Sequence, residues 1–188
     1  CTTISRAARS GNSIYLFRPT MIAYAMLLIW FWIIAEQWLN QLYGHTTGVA
    51  RSIKWLGIIG AIFLVIYIDF LGTTGEVNRF MRRHGIMIFF TFTPLAQLLL
   101  LDQHYKSLPS LSEKDTLLPV LRYQLIIIIL MLMIGISSTI LDIAQIKTDK
   151  IENIVEWNFS LLLNMYFLGM VFIWKNFRSV LRTGASNN

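Results

Sequence analysis

The sequence predicts an all-α protein, a polytopic transmembrane helix bundle of about five membrane helices, with the third open to a re-entrant reading. Three observations predict it. Apolar residues make up 55% of the 188 positions and charged residues only 14%, against roughly 45–50% and about 25% in a typical soluble domain. The apolar residues gather in five separate stretches. Tryptophans stand at the ends of several of those stretches, the depth this side chain favours in a bilayer. The mean hydropathy of +0.58 argues against a soluble globule, because a chain of this size cannot hide so much apolar surface in one aqueous core. Low hydrophobicity with high charge, the signature of disorder, is absent.

The five stretches are Pro19–Tyr43, Trp55–Leu71, Ile86–Leu101, Leu117–Ile143 and Ile154–Trp174. A spanning helix needs about 20 residues, with a range of about 17–25. The first, fourth and fifth meet this, and the second just reaches it. The third is shorter and holds Pro94 near its middle, so it reads either as a short span or as a re-entrant segment. The first stretch has no small-residue cleavage site behind it, so it is expected to be a span and not a secretory signal. Trp157 and Trp174 bracket the last stretch at roughly 25 Å, close to the hydrocarbon thickness. Trp38 and Trp55 flank the first loop as interface anchors, whereas Trp30 and Trp32 lie deeper and are expected to pack between helices. The longest linker is Asp102–Thr116, with Pro109 and several serines. The whole of 1–188 reads as one integral membrane domain, with 1–18 as an interfacial N-terminal segment and 175–188 as a basic C-terminal tail.

Charge leaves orientation open. With five crossings the 16 Lys and Arg residues divide equally between the two sides, and the positive-inside rule is silent. With a re-entrant third stretch they divide about twelve to four, and both ends of the chain face the basic side. The single cysteine, Cys1, excludes an internal disulfide. The run Cys1-Thr2-Thr3 fits either a removed methionine or a lipidated cysteine.

An ionisable group in hydrocarbon costs about 2.5–3.5 kcal/mol or more, so each one is a candidate site. Asp69 ends the second stretch, and Glu76, Arg79 and Arg83 would share its face if the helix continued. Gly72 and Gly75 point to a turn instead. This group reads either as an interfacial ion network or as a pocket for an anionic headgroup, with Arg79, Arg82, Arg83 and His84 as its donors. Glu36 and Gln37 stand near the end of the first stretch, within reach of the interface. Asp142, Asp149, Glu152 and Glu156 surround the fourth loop beside Lys147 and Lys150, a pattern that fits a solvated loop. Glu156 stands at the mouth of the last span, and Asn158 and Asn164 follow inside it. These polar groups are expected to bond between helices.

His45, His84 and His104 each read as loop residues, without the i+3 or i+4 partner that a haem or metal site on one helix requires. No cofactor is expected. There is no glycine-rich phosphate loop, HExxH, GxSxG or CxxC motif. The pI near 9.7 is spread over membrane-flanking loops, which points to anionic lipid and not to nucleic acid.

The run Ile151-Glu152-Asn153-Ile154-Val155-Glu156-Trp157, then an apolar helix, then Trp174-Lys175-Asn176-Phe177-Arg178, resembles the last span of the damage-regulated autophagy modulators and their relatives. That wider family includes proteins of GPI-anchor remodelling and fungal regulators of phosphoinositide signalling. Glu156 and Trp157 match its acidic-Trp pair. The resemblance covers about 35 residues and implies a multi-pass protein with both termini cytoplasmic and a lipid-related role. The family usually has six spans.

The leading functional expectation is a non-enzymatic multi-pass membrane protein with a lipid-modulating or assembly-supporting role. Arg79, Arg82, Arg83 and His84 would contact the headgroup, and Glu156, Asn158 and Asn164 would fix the last helix. One alternative is an accessory subunit of a larger membrane complex, with Phe89, Phe90, Phe92, Trp30 and Trp32 lining a partner helix. Another is a membrane-embedded lipid-modifying enzyme, with Asp69, Glu76 and His84 as acid–base groups. Expected partners are anionic membrane lipids and partner membrane subunits. The expected location is a plasma or bacterial inner membrane.

Overall fold

The structure is a computed structural model and describes residues 4–9, 11–108, 114–146 and 148–185. Cys1, Pro109 and Lys147 lie outside the described residues. Six helices follow one another: α1 (Ile4–Arg9), α2 (Ser13–Tyr43), α3 (Gly48–Asp69), α4 (Glu76–Ser107), α5 (Lys114–Ile143) and α6 (Asp149–Ala185). No strand occurs among the described residues. The last five helices are each long and apolar enough to cross a membrane. In hydrocarbon a helix satisfies its own backbone polar groups, which is why these stretches fold this way.

The re-entrant reading of the third stretch is overturned. α4 is one unbroken helix with Pro94 inside it. Proline removes a single N–H donor. Here the surrounding turns are strongly apolar, and α4 has the most enclosed apolar segment of the five. The helices also outrun the apolar stretches. α2 begins at Ser13, α4 reaches from Glu76 to Ser107, and α5 starts at Lys114. The linker expected at Asp102–Thr116 is therefore mostly helix. His84 and His104, expected in loops, stand within α4. The backbone of α6 stays helical through Ala185, so the basic tail continues the last span.

The chain divides into two compact units, Cys1–Leu100 and Leu101–Asn188. In the first unit, α2 and α3 form an antiparallel hairpin. Asn40 Oδ1 accepts from the Thr47 N–H at 3.2 Å, and Thr47 Oγ1 accepts from Ala50 N–H at 3.1 Å. The turn is thus locked by a side chain from each helix, and α3 gains an N-cap. Deeper in, Trp32 is fully buried against Gly57, where a Cβ would fall inside the indole ring. α4 packs on another face of α3. A Cβ on Gly85 would stand 2.9 Å from the Phe63 carbonyl, and one on Gly60 would stand 2.8 Å from Thr93 Oγ1. Small residues let helix backbones approach closely where lipid offers no hydrophobic drive to association. α1 is tied to α2 by Ser13 Oγ, which donates to the Ala7 carbonyl at 2.9 Å and to the Ala8 carbonyl at 3.2 Å.

The second unit is built on the α5–α6 hairpin. Gln124 is fully buried, and its Nε2 donates to the Tyr166 carbonyl at 3.3 Å. Tyr123 Oη donates to the Met165 carbonyl at 3.3 Å. Gly169 leaves the space that Gln124 fills, since a Cβ there would lie 3.0 Å from Gln124 Cγ.

These contacts set the expected cost of overpacking. Gly57→Val is expected to destabilise the first unit by on the order of 1–3 kcal/mol, read as a lower thermal midpoint in detergent. Adding Trp32→Leu should recover most of that loss. In the second unit, Gly169→Leu is expected to lower the midpoint further than Gln124→Leu, because one hydrogen bond in a membrane interior is worth only about 0.6 kcal/mol on average.

Candidate functional site

Each spanning helix carries a charge-free interval. On α2 it lies between Arg18 and Glu36, roughly 27 Å at 1.5 Å per residue. On α4 it lies between Arg83 and Asp102, on α5 between Arg122 and Asp142, and on α6 between Glu156 and Lys175. These are roughly 28–30 Å, and the Lys54–Asp69 interval on α3 is about 22 Å. The lengths approach the hydrocarbon thickness of about 30 Å, so the bounding charges mark where the headgroup region begins.

The densest charge in the first unit lies around the α3–α4 turn. α3 ends at Asp69 and α4 begins at Glu76. Gly72 and Gly75 take φ of +85° and +109° between them, a conformation that other residues rarely adopt. The turn foreseen from these glycines is therefore present, and Asp69 and Glu76 belong to different helices. Both carboxylates are exposed.

Two arginines grip this turn from two helices. Arg18, from α2, donates through Nη2 to the Leu71 carbonyl at 2.6 Å and to the Asp69 carbonyl at 3.4 Å. Arg82, from α4, donates through Nη1 to the Thr73 carbonyl at 3.3 Å and the Phe70 carbonyl at 3.4 Å. The last carbonyls of a helix have no partner within it, and a guanidinium there also complements the negative end of the helix dipole. Arg82 thus shapes the turn. Arg79 and Arg83, one helical turn apart, are exposed. His84 donates from Nδ1 to the Phe80 carbonyl at 2.9 Å, and its ring stacks on Phe80 with centroids 3.8 Å apart. Of the four expected headgroup donors, Arg79 and Arg83 are exposed residues, Arg82 bonds the turn carbonyls and His84 bonds the Phe80 carbonyl.

At the other end of the first hairpin, Lys54 Nζ lies 2.7 Å from Glu36 Oε2, and both side chains are largely buried. Lys54 also lies over the Trp55 ring, 5.4 Å from its centroid. Glu36 therefore does not merely reach the interface; it ties α2 to α3. In the last helix, Asn158 and Asn164 donate from Nδ2 to the Ile154 and Ser160 carbonyls of their own helix, at 2.7 and 2.8 Å. Glu156 is half-buried. Gln124 and Tyr123, which the sequence reading did not single out, donate bonds that cross from α5 to α6. The signal was available: a glutamine within an apolar run has to find a partner.

A second missed feature is the buried face of α4. Phe89, Thr93, Ala96, Gln97, Leu100 and His104 recur at three- and four-residue steps and are all buried. Ser107 is buried too, and its Oγ donates to the His104 carbonyl at 2.9 Å. Of these, Thr93 and Gln97 are buried polar residues of the first unit, and His104 and Ser107 of the second. Among the described residues, no group of three His, Cys, Asp or Glu side chains is placed to hold a metal ion. Of the aromatic residues expected to line a partner helix, Trp32 and Phe89 are buried within the chain, whereas Trp30 is 64% exposed.

Together, the five apolar helices and their charge-free intervals define a polytopic integral membrane protein. No protein-family profile, curated protein or solved structure matches this chain.

The clamp on the α3–α4 turn is directly testable. Arg18→Met should speed amide exchange in residues 69–75 by roughly tenfold, the equivalent of losing a charged hydrogen bond of about 1.5 kcal/mol. Arg79→Met should leave exchange there unchanged. Hydrogen-exchange mass spectrometry of the detergent-solubilised protein separates the two.

Proposed function

We propose that this is a non-enzymatic multi-pass membrane protein with a lipid-modulating role, acting through a contact with anionic lipid headgroups at the α3–α4 turn. One observation carries the reading: Arg18, Arg79, Arg82 and Arg83 come together at one helix turn, at the depth where the charge-free intervals of α2 and α4 begin. Arg18 and Arg82 are fixed on the turn carbonyls and rigidify it. Arg79 and Arg83 are exposed residues, and a guanidinium matches phosphate geometry. His84 stacks beside them and steadies Phe80. A cytoplasmic leaflet of a plasma or bacterial inner membrane supplies the anionic lipid such a cluster attracts. The likeness of Glu156, Trp157 and the helix behind them to the last span of the damage-regulated autophagy modulators also favours a lipid-related role.

An accessory-subunit role is the second reading, favoured by Trp30. This side chain stands well inside the charge-free interval of α2 and is exposed, whereas tryptophan prefers the interface. Phe90 and Phe92 on α4 are half-buried. A stoichiometric partner in native purification would support this role, and a clean monomer in mild detergent would count against it.

The headgroup contact is tested by measuring anionic lipid retained through purification. Each surface arginine is worth about 1 kcal/mol toward an anionic membrane. Arg79→Gln with Arg83→Gln should therefore reduce retention roughly 30-fold. Retention equal to the unaltered protein would overturn the proposal.

A further inference from the structure

The apolar segment of α2 is the least enclosed of the five spanning segments. Its buried residues Ala25, Leu28, Trp32, Ala35 and Leu39 fall on one side of the helix at 3.6 residues per turn. The exposed residues Ala23, Met26, Leu27, Trp30, Ile34 and Gln37 fall on the opposite side. Met26, Leu27 and Trp30 are 65%, 62% and 64% exposed.

Lipid tails suffice to cover an apolar helix face, but two groups on this one need more. An indole N–H is a donor and has no acceptor function. Trp30 stands about 18 Å in from Arg18 and about 9 Å in from Glu36, where hydrocarbon supplies no acceptor. Its indole forms no hydrogen bond among the described residues. Tryptophan otherwise settles at the membrane interface. Gln37 is seven residues on, hence on the same face, and is an exposed amide at the hydrocarbon boundary. Ala23, seven residues before Trp30, is small enough to let a second backbone come close.

The face is matched by itself. Copies of a membrane protein cross the bilayer in the same sense. A two-fold axis along the membrane normal therefore sets α2 parallel to the α2 of a second copy, with like residues at like depth. The exposed positions 23, 27, 30, 34 and 37 advance by alternate steps of four and three, the repeat on which two helices interlock. In that seam a side chain at position 30 seats between positions 26 and 30 of the facing helix. Each Trp30 indole then meets the Met26 thioether of the other copy, a weak acceptor that also packs favourably on an aromatic ring. Two Gln37 amides at one depth bond each other, because an amide both donates and accepts. A foreign helix would have to supply a matching group at each depth separately, whereas a second copy supplies them all. We propose that this face of α2 is the interface of a parallel homodimer, formed by Trp30 against Met26 and by Gln37 against Gln37. The accessory-subunit reading gives the same face to a different protein, and the headgroup contact is independent of both.

The test uses the full chain carrying Cys1→Ser and one new cysteine, reconstituted in dioleoylphosphatidylcholine vesicles at a low protein-to-lipid ratio and oxidised with copper phenanthroline. Leu27→Cys and Ile34→Cys should give disulfide-linked dimer at least about fivefold above Ile129→Cys and Met133→Cys, which replace exposed residues of α5. Adding Trp30→Leu to Leu27→Cys should cut the yield about fivefold through loss of the two sulfur–aromatic contacts. The same change should leave the thermal midpoint in detergent where it was. Equal yields from α2 and α5, or no dimer from either α2 position, would overturn the proposal. A lowered midpoint with Trp30→Leu overturns it too, because Trp30 would then be held within its own chain. In native membranes, adducts of Leu27→Cys with another polypeptide in place of the dimer would overturn it in favour of the accessory-subunit reading.

Discussion

Trp32 is buried without any exposure because Gly57 has no side chain to occupy the same space. That seating fixes the register of α2 against α3, since a slip by one helical turn would drive the indole into Ile53 or Ala61, which are themselves buried. Once Trp32 faces Gly57, the antiparallel arrangement brings Glu36 to Lys54 near one end of the hairpin and Arg18 to Leu71 at the other. The turn after α3 is thereby positioned, and Arg82 of α4 also bonds its carbonyls. The arginine cluster therefore depends on a packing contact buried between α2 and α3, well away from it.

Polar side chains in these helices find their partners in two ways. Some turn back on their own helix: Thr20, Thr91 and Thr139 donate to carbonyls four residues earlier at 2.8–2.9 Å, and Asn158 does the same at 2.7 Å. This satisfies a hydroxyl or a short amide without a partner helix. Others cross. Gln124 and Tyr123 reach from α5 to α6, and Arg18 reaches from α2 to the end of α3.

The fold class was legible because apolar runs of spanning length have few alternatives in a chain so poor in charge. The ends of the helices were not. Hydropathy falls at Arg82 and at Asp102, but backbone hydrogen bonding continues, because a helix in the headgroup region satisfies its own polar groups while its charged side chains reach water. This misplaced His84 and His104. Pro94 suggested a break, yet one missing donor does not bend α4 back on itself. The turn at Gly72 and Gly75 was readable, because two glycines between apolar runs have a local meaning. The partner of Arg18 was not, because it lies 53 residues away and is a backbone carbonyl. Trp30 and Trp32 differ by two positions and in opposite fates, which only the register of α2 and α3 decides.

The bond from Arg18 to Leu71 also bears on how the protein enters its membrane. With Asn40 and Thr47 closing one end of the α2–α3 pair and Arg18 closing the other, the hairpin satisfies its terminal polar groups from within. A pair of helices sealed at both ends partitions into lipid more favourably than either helix alone, because the Lys54 and Glu36 charges travel as a neutral pair. The α2–α3 pair is thus closed at both ends, with the Trp32–Gly57 contact between them.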